Sequence, residues 1–220
     1  QGVIDLAALR QAIAAAARWE SRTQSGVLSG RHSGAEQVRR MLHTCQAGFE
    51  SLLARELREL HETAIAEQGP GWVRVENGGS ERNVPELAFG HLTLREPMLV
   101  QGESVNALAQ RIADYFLGAL RGERIEAAWP NLWQGPAELV GLGRRMSAVE
   151  AAFGELLKKK LSRVAKLATS ERPRGIGVAR GLFVFFVDFG RAWVAREAHV
   201  HGPRRMADDP LAPSRSYLKV

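Results

Sequence analysis

Met41-Leu42-His43-Thr44-Cys45-Gln46-Ala47-Gly48-Phe49-Glu50 is the stretch on which the fold turns. Met41 to Gln46 suits a short strand. Gly48-Phe49-Glu50 then opens a helix in which Phe49, Leu52, Leu53, Leu57 and Leu60 recur at helical spacing, the mark of a core-facing stripe. Gly71-Trp72-Val73-Arg74-Val75 alternates as a second strand, and Asn77-Gly78-Gly79 supplies the turn residues that end it. A strand, helix, strand unit of this kind predicts a mixed α/β chain.

The pattern continues downstream. Leu87 to Val100 reads as one or two strands with a break at Glu96-Pro97, because proline cannot donate to a ladder. Ser104 suits the cap of a helix carrying Val105, Leu108, Ile112, Tyr115, Phe116 and Leu120 that stops near Gly122. Arg124 to Trp129 is expected as a strand and Leu132 to Gly143 as a loop. Ser147-Ala148-Val149-Glu150 matches a capping box that opens a long helix. The buried stripe of that helix is expected at Val149, Phe153, Leu156, Leu157, Leu161 and Val164, which leaves Lys158, Lys159, Arg163 and Lys166 largely on the solvent side and Lys160 near the boundary. Leu182 to Val187 is an unbroken apolar run suited to a strand covered on both faces, and Asp188-Phe189-Gly190-Arg191 turns it into a second strand, Ala192 to Arg196. Upstream, residues 1–40 read as an alanine-rich helix and a Ser/Gly-rich joint, either a native extension or a cloning remnant. Gly202 to Ala212 has the Pro, Arg and Asp content of a linker.

Charge narrows the function. The net charge is +6, yet residues 142–220 carry 16 Lys or Arg against 7 Asp or Glu, so the rest of the chain is slightly acidic. All five lysines lie in that basic part. Lys158, Lys159, Lys160, Arg163, Lys166, Arg172, Arg174, Arg204, Arg205 and Arg215 are the candidate contacts to a polyanion. Trp129 and Trp133, which flank Pro130, are candidates for stacking on bases, whereas Phe183, Phe185, Phe186 and Trp193 suit the core. The single cysteine, Cys45, forms no intramolecular disulfide and fits a reducing cytosol. No apolar run reaches the roughly 20 residues of a membrane helix.

Several matches carry no chemistry. Gly175-x-Gly177 precedes a strand instead of following one, and Asp188-Phe189-Gly190 lacks every other part of a kinase. His199 and His201 can share a strand face, but no third metal ligand is suitably spaced.

Two motifs carry a resemblance. Cys45-Gln46-Ala47-Gly48-Phe49-Glu50 resembles the opening Cys-x-x-Gly-Phe-Glu of RlmM-type 23S rRNA 2′-O-methyltransferases, the THUMP-containing branch of the FtsJ-type enzymes. Pro213-Ser214-Arg215-Ser216-Tyr217-Leu218-Lys219 resembles the segment that opens the FtsJ-type catalytic domain, where a Ser-Arg pair precedes the first lysine of a Lys-Asp-Lys-Glu tetrad. The resemblance implies a ferredoxin-like subdomain at residues 41–100, a THUMP-like RNA-binding domain at 101–201, and a linker with the start of a Rossmann-like methyltransferase domain at 202–220. It also implies that Lys219 orients the reacting ribose, that the parent protein uses S-adenosylmethionine while this chain lacks the site for it, and that the partner is cytoplasmic 23S rRNA, methylated at a cytidine. Two other classes fit the same residues: a non-catalytic RNA-binding adaptor, and an α/β interaction domain whose basic face serves solubility.

Overall fold

The computed structural model describes residues 39–77, 84, 86–120, 122–173 and 175–201, all within one compact unit. Strand β1 (Arg39–Thr44) leads through Gly48, at φ +89°, into helix α1 (Glu50–His61). A hairpin follows, β2 (Ile65–Gly69) and β3 (Trp72–Asn77), with Gly71 at φ +79° in its turn. The sequence pattern does not show β2. As an edge strand with three consecutive exposed residues it has no apolar alternation, and its register slips between Ile65 and Glu67. β1 lies antiparallel between β3 and β4 (Leu92–Arg95).

The expected break at Glu96-Pro97 is present, with Glu96 in the left-handed region at φ +45°. It separates β4 from β5 (Met98–Gln101), and both pair with β9 (Arg191–Val200). Ser104 caps α2 (Val105–Ala119), its hydroxyl accepting the Ala107 N–H at 3.1 Å. The strand expected over Arg124–Trp129 instead runs from Trp129 to Gln134 as β6, taking up part of the expected loop. Trp129 is the anchor: it is buried, stacks on Phe116 at 4.8 Å and donates its indole N–H to the Val164 carbonyl. Arg124 to Ala128 offer only Ile125, which is partly buried against the same cluster.

The long helix α3 (Leu142–Lys160) also starts before its expected capping box. Gly141, at φ +90°, precedes it, and Ser147 sits inside it, exposed. Buried Leu142 fixes this start by holding the first turn on the core. Within the expected stripe Val149, Phe153 and Leu157 are buried and Leu156 and Val164 partly so. Leu161 is exposed, because the helix breaks there at φ −142° before the short α4 (Ser162–Lys166). The two-residue β7 (Ala168–Thr169) and β8 (Gly177–Phe186) follow, and β8 and β9 form the expected hairpin. Its turn is tied by Asp188, whose carboxylate accepts the Gly190 N–H.

The nine described strands form one sheet in the order β2-β3-β1-β4-β9-β8-β6-β7, with β5 also on β9. β6 is parallel to β8 and β7; the other pairs are antiparallel. Along β8, Leu182, Val184 and Phe186 pack with α2 and α3, while Phe183 and Phe185 join Leu42, Trp72, Leu92 and Leu94 on the opposite face. A third cluster sets Leu53, Ala54 and Leu57 of α1 against Val73 and Val75. Phe116 and Phe153 meet edge to face at 6.0 Å, both essentially inaccessible. Phe153→Ala is therefore expected to cost about 3–5 kcal/mol in a urea unfolding titration.

Candidate nucleic-acid interface

The Cys45 to Glu50 motif folds as a clasp. The Cys45 N–H donates to the Gly71 carbonyl at 2.9 Å, and one Glu50 oxygen accepts the N–H groups of Gly71 at 2.5 Å and Gly48 at 3.0 Å. Burial alone would raise the Glu50 carboxyl, but these backbone donors outweigh it and hold it below its ordinary value. The Cys45 thiol is pushed up to about 12 by burial and then by the Glu50 charge, so it is no nucleophile at neutral pH. The motif positions backbone and does not react. Glu50→Ala is expected to cost about 1–3 kcal/mol, since it leaves a partly buried Gly71 N–H without its acceptor. The stability lost with Glu50 is present above its unfolded value and fades as pH falls through the lower folded one.

The basic end of α3 and α4 is exposed. Lys158, Lys159, Lys160, Arg163 and Lys166 all face solvent. Among the described residues, ion pairs form at Lys158 with Glu155 (2.8 Å) and at Lys160 with Asp114 (3.7 Å), and none forms at Lys159, Arg163 or Lys166. Three of these cations occupy the last turn of α3, where they also complement the helix dipole. Exposed pairs of this kind contribute little to stability and yield readily to a phosphate.

Arg172 is exposed too, its guanidinium anchored on the His91 carbonyl at 3.1 Å. Arg174, Arg204, Arg205, Arg215 and Lys219 lie outside the described residues, as does the helix expected over residues 1–20. Trp129 and Trp133 are not free to stack on bases. Trp129 is in the core, and Trp133 packs on Phe153 and Phe186 at 5.7 and 6.2 Å with its N–H donated to Asn131.

Two arrangements lie beyond sequence reasoning. Arg95, Glu197, Arg180, Glu123 and Arg196 form a chain of ion pairs, with the Arg196 guanidinium 4.9 Å over the Phe116 ring. Thr93 Oγ1 lies 2.7 Å from both His43 Nδ1 and His201 Nε2, joining residues up to 108 positions apart. The only sequence signal was the spacing of His199 and His201, whose rings meet at 4.9 Å. Among the described residues no group of three or more His, Cys, Asp or Glu is placed to hold a metal ion, and no helix is long and apolar enough to cross a membrane.

Burial, followed by neighbouring histidines, lowers His43 to about 3 and His201 to about 4. Both are therefore neutral in the fold, and the unfolded chain takes up protons first, near its ordinary value of about 6.5. Stability present above that pH is expected to fall as pH drops toward 4, read as a declining urea midpoint. His43→Gln should make the decline shallower.

No family model matches the chain, and no curated protein matches it. Among solved structures, a possible methylase from Clostridium difficile 630 is similar at TM-score 0.43 and 14% identity, over 73% of this chain and 41% of that one. TrmN from Thermus thermophilus is similar at 0.42 and 19%, over 72% and 45%. A 4-thiouridine synthetase in complex with RNA and bound ATP is similar at 0.40 and 12%, over 75% and 42%. The chain thus spans less than half the length of each of these three neighbours.

Proposed function

We propose that this chain is the RNA-binding part of an S-adenosylmethionine-dependent 23S rRNA ribose methyltransferase of the cytoplasm. The observation that carries the RNA-binding part is the exposed run Lys158, Lys159, Lys160, Arg163 and Lys166, three of whose cations lack an ion pair among the described residues. These cations would displace the counterions condensed on the RNA phosphates, so binding weakens steeply with salt. In this reading residues 41–100 and 101–201 act as ferredoxin-like and THUMP-like halves joined by the shared sheet. Lys219 would orient the ribose 2′-hydroxyl toward the methyl donor, because in-line transfer needs that oxygen positioned before it is deprotonated. The cytidine target and the assignment of Lys219 rest on the two sequence motifs.

The test is methyl transfer by the full protein encoded by the gene, using labelled S-adenosylmethionine and unmodified 23S rRNA. The expected product is a 2′-O-methylated nucleotide, lost on Lys219→Ala. The second reading, a non-catalytic RNA-binding adaptor, is favoured by the same cations. It replaces the first if RNA is bound and no methyl group is transferred.

A further inference from the structure

His91, Arg172 and His199 gather where β4, β9 and the segment before β8 meet. The His91 carbonyl accepts two donors, the His201 N–H at 3.2 Å and the Arg172 guanidinium at 3.1 Å, which pins Arg172 beside His91. In the ladder His199 stands opposite Thr93 on one side and Val178 on the other. Its ring packs against His201, which the Thr93 hydroxyl holds from behind. His91 and Arg172 are exposed and His199 is half-buried, so solvent reaches each of these three groups around His201. Beside them Val178 and Ile176 are 54% and 71% exposed, an apolar surface next to cationic groups.

Two guanidinium groups, Arg172 and Arg95, and one carboxylate, Glu86, bear on this cluster, and Arg95 is also paired with Glu197 at 3.5 Å. Burial and then Arg172 lower His91, while burial and then Arg95 lower His199 against an opposing effect of Glu86. Burial, His199, His91 and Arg172 lower His201, and behind it stand His43 and, from α1, His61. Arg180 and Glu197, two positions along the same strands, are paired with each other and so add little net charge. An oxyanion placed here would relieve the crowding and draw protons onto the imidazoles.

We propose that His91, Arg172 and His199 form a phosphate-binding site that takes a backbone phosphate of single-stranded RNA together with a proton. It uses none of the lysines of α3. It rests on the RNA-binding reading above and extends it to a named contact with its own pH dependence. The exposed Ile176 and Val178 favour an unpaired nucleotide over free phosphate, since a splayed base can cover apolar surface that an inorganic ion leaves bare.

The test is fluorescence anisotropy with a labelled single-stranded RNA near pH 8 and near pH 6, alongside NMR titration of the histidine rings with inorganic phosphate. The chain is expected to bind RNA about tenfold tighter at the lower pH, because binding is linked to proton uptake. His91→Gln/His199→Gln should bind RNA more weakly than the unaltered chain near pH 8 and lose most of that gain at the lower pH. Arg172→Met, a surface change that spares both histidines, should weaken binding at both values. Phosphate should raise the ring titrations of His91 and His199. An undiminished gain in the double variant overturns the proposal, as does a phosphate effect with no RNA gain, which would assign the cluster to a free anion. RNA binding with no pH gain sinks this site alone, whereas no RNA binding at either pH sinks the RNA reading with it.

Discussion

Gly181→Ala is expected to destabilise the chain by about 3 kcal/mol or more, enough to leave it largely unfolded at modest urea. A Cβ built at Gly181 meets the Pro130 carbonyl oxygen at 2.2 Å and the Pro130 Cγ at 2.6 Å. Neither strand can retreat. β6 and β8 are paired in parallel from Asn131 opposite Leu182 onward, so moving one breaks that ladder. The β8–β9 register shifts between Arg180 and Phe183, and Arg196 fixes the irregularity by donating to the Gly181 carbonyl while its guanidinium covers Phe116. Gly118→Ala is the matched control. It lies inside α2 with nothing within 4 Å of the new Cβ, and should gain about 0.5–1 kcal/mol. If the two variants unfold at the same urea concentration, the close approach of β6 to β8 is wrong.

The second large effect is on binding. Reversing Lys158, Lys159 and Lys160 to Glu together replaces three exposed cations by anions at the C-terminal end of α3. RNA affinity near 0.1 M salt should fall by roughly one to two orders of magnitude if these side chains meet phosphates. The fold should largely survive, since none of the three is in the core, although anions in the last turn oppose the helix dipole at a cost of about 0.3–1 kcal/mol each. Restoring Lys159 alone should recover part of the affinity, because it is the one lysine of the three without an ion pair among the described residues.

What could be read ahead of the structure follows a physical divide. Leu53 and Leu57 of the α1 stripe, the Ser104 cap, the Glu96-Pro97 break and the β8–β9 hairpin were legible because each is fixed by neighbours a few positions away. β2 was not, since an exposed edge strand needs no apolar alternation. The starts of β6 and α3 were missed because long-range burial of Trp129 and Leu142 overrides the local turn and capping signals. The site divides likewise. Exposed lysines are visible from composition and helical period. The meeting of His91, Arg172 and His199 depends on strand pairing across more than a hundred positions. Trp129, stacked on Phe116 and buried, shows that an aromatic next to a proline carries no information about exposure.

The most direct measurement is the slope of log affinity against log salt for a 23S rRNA fragment, taken for the chain and for the Lys158→Glu/Lys159→Glu/Lys160→Glu variant. A steep slope that becomes shallower by about 2 in the variant is expected, matching the loss of about three phosphate contacts at roughly 0.7 per contact on single strands. Identical slopes and affinities for the two proteins would contradict the assignment of this basic end to RNA.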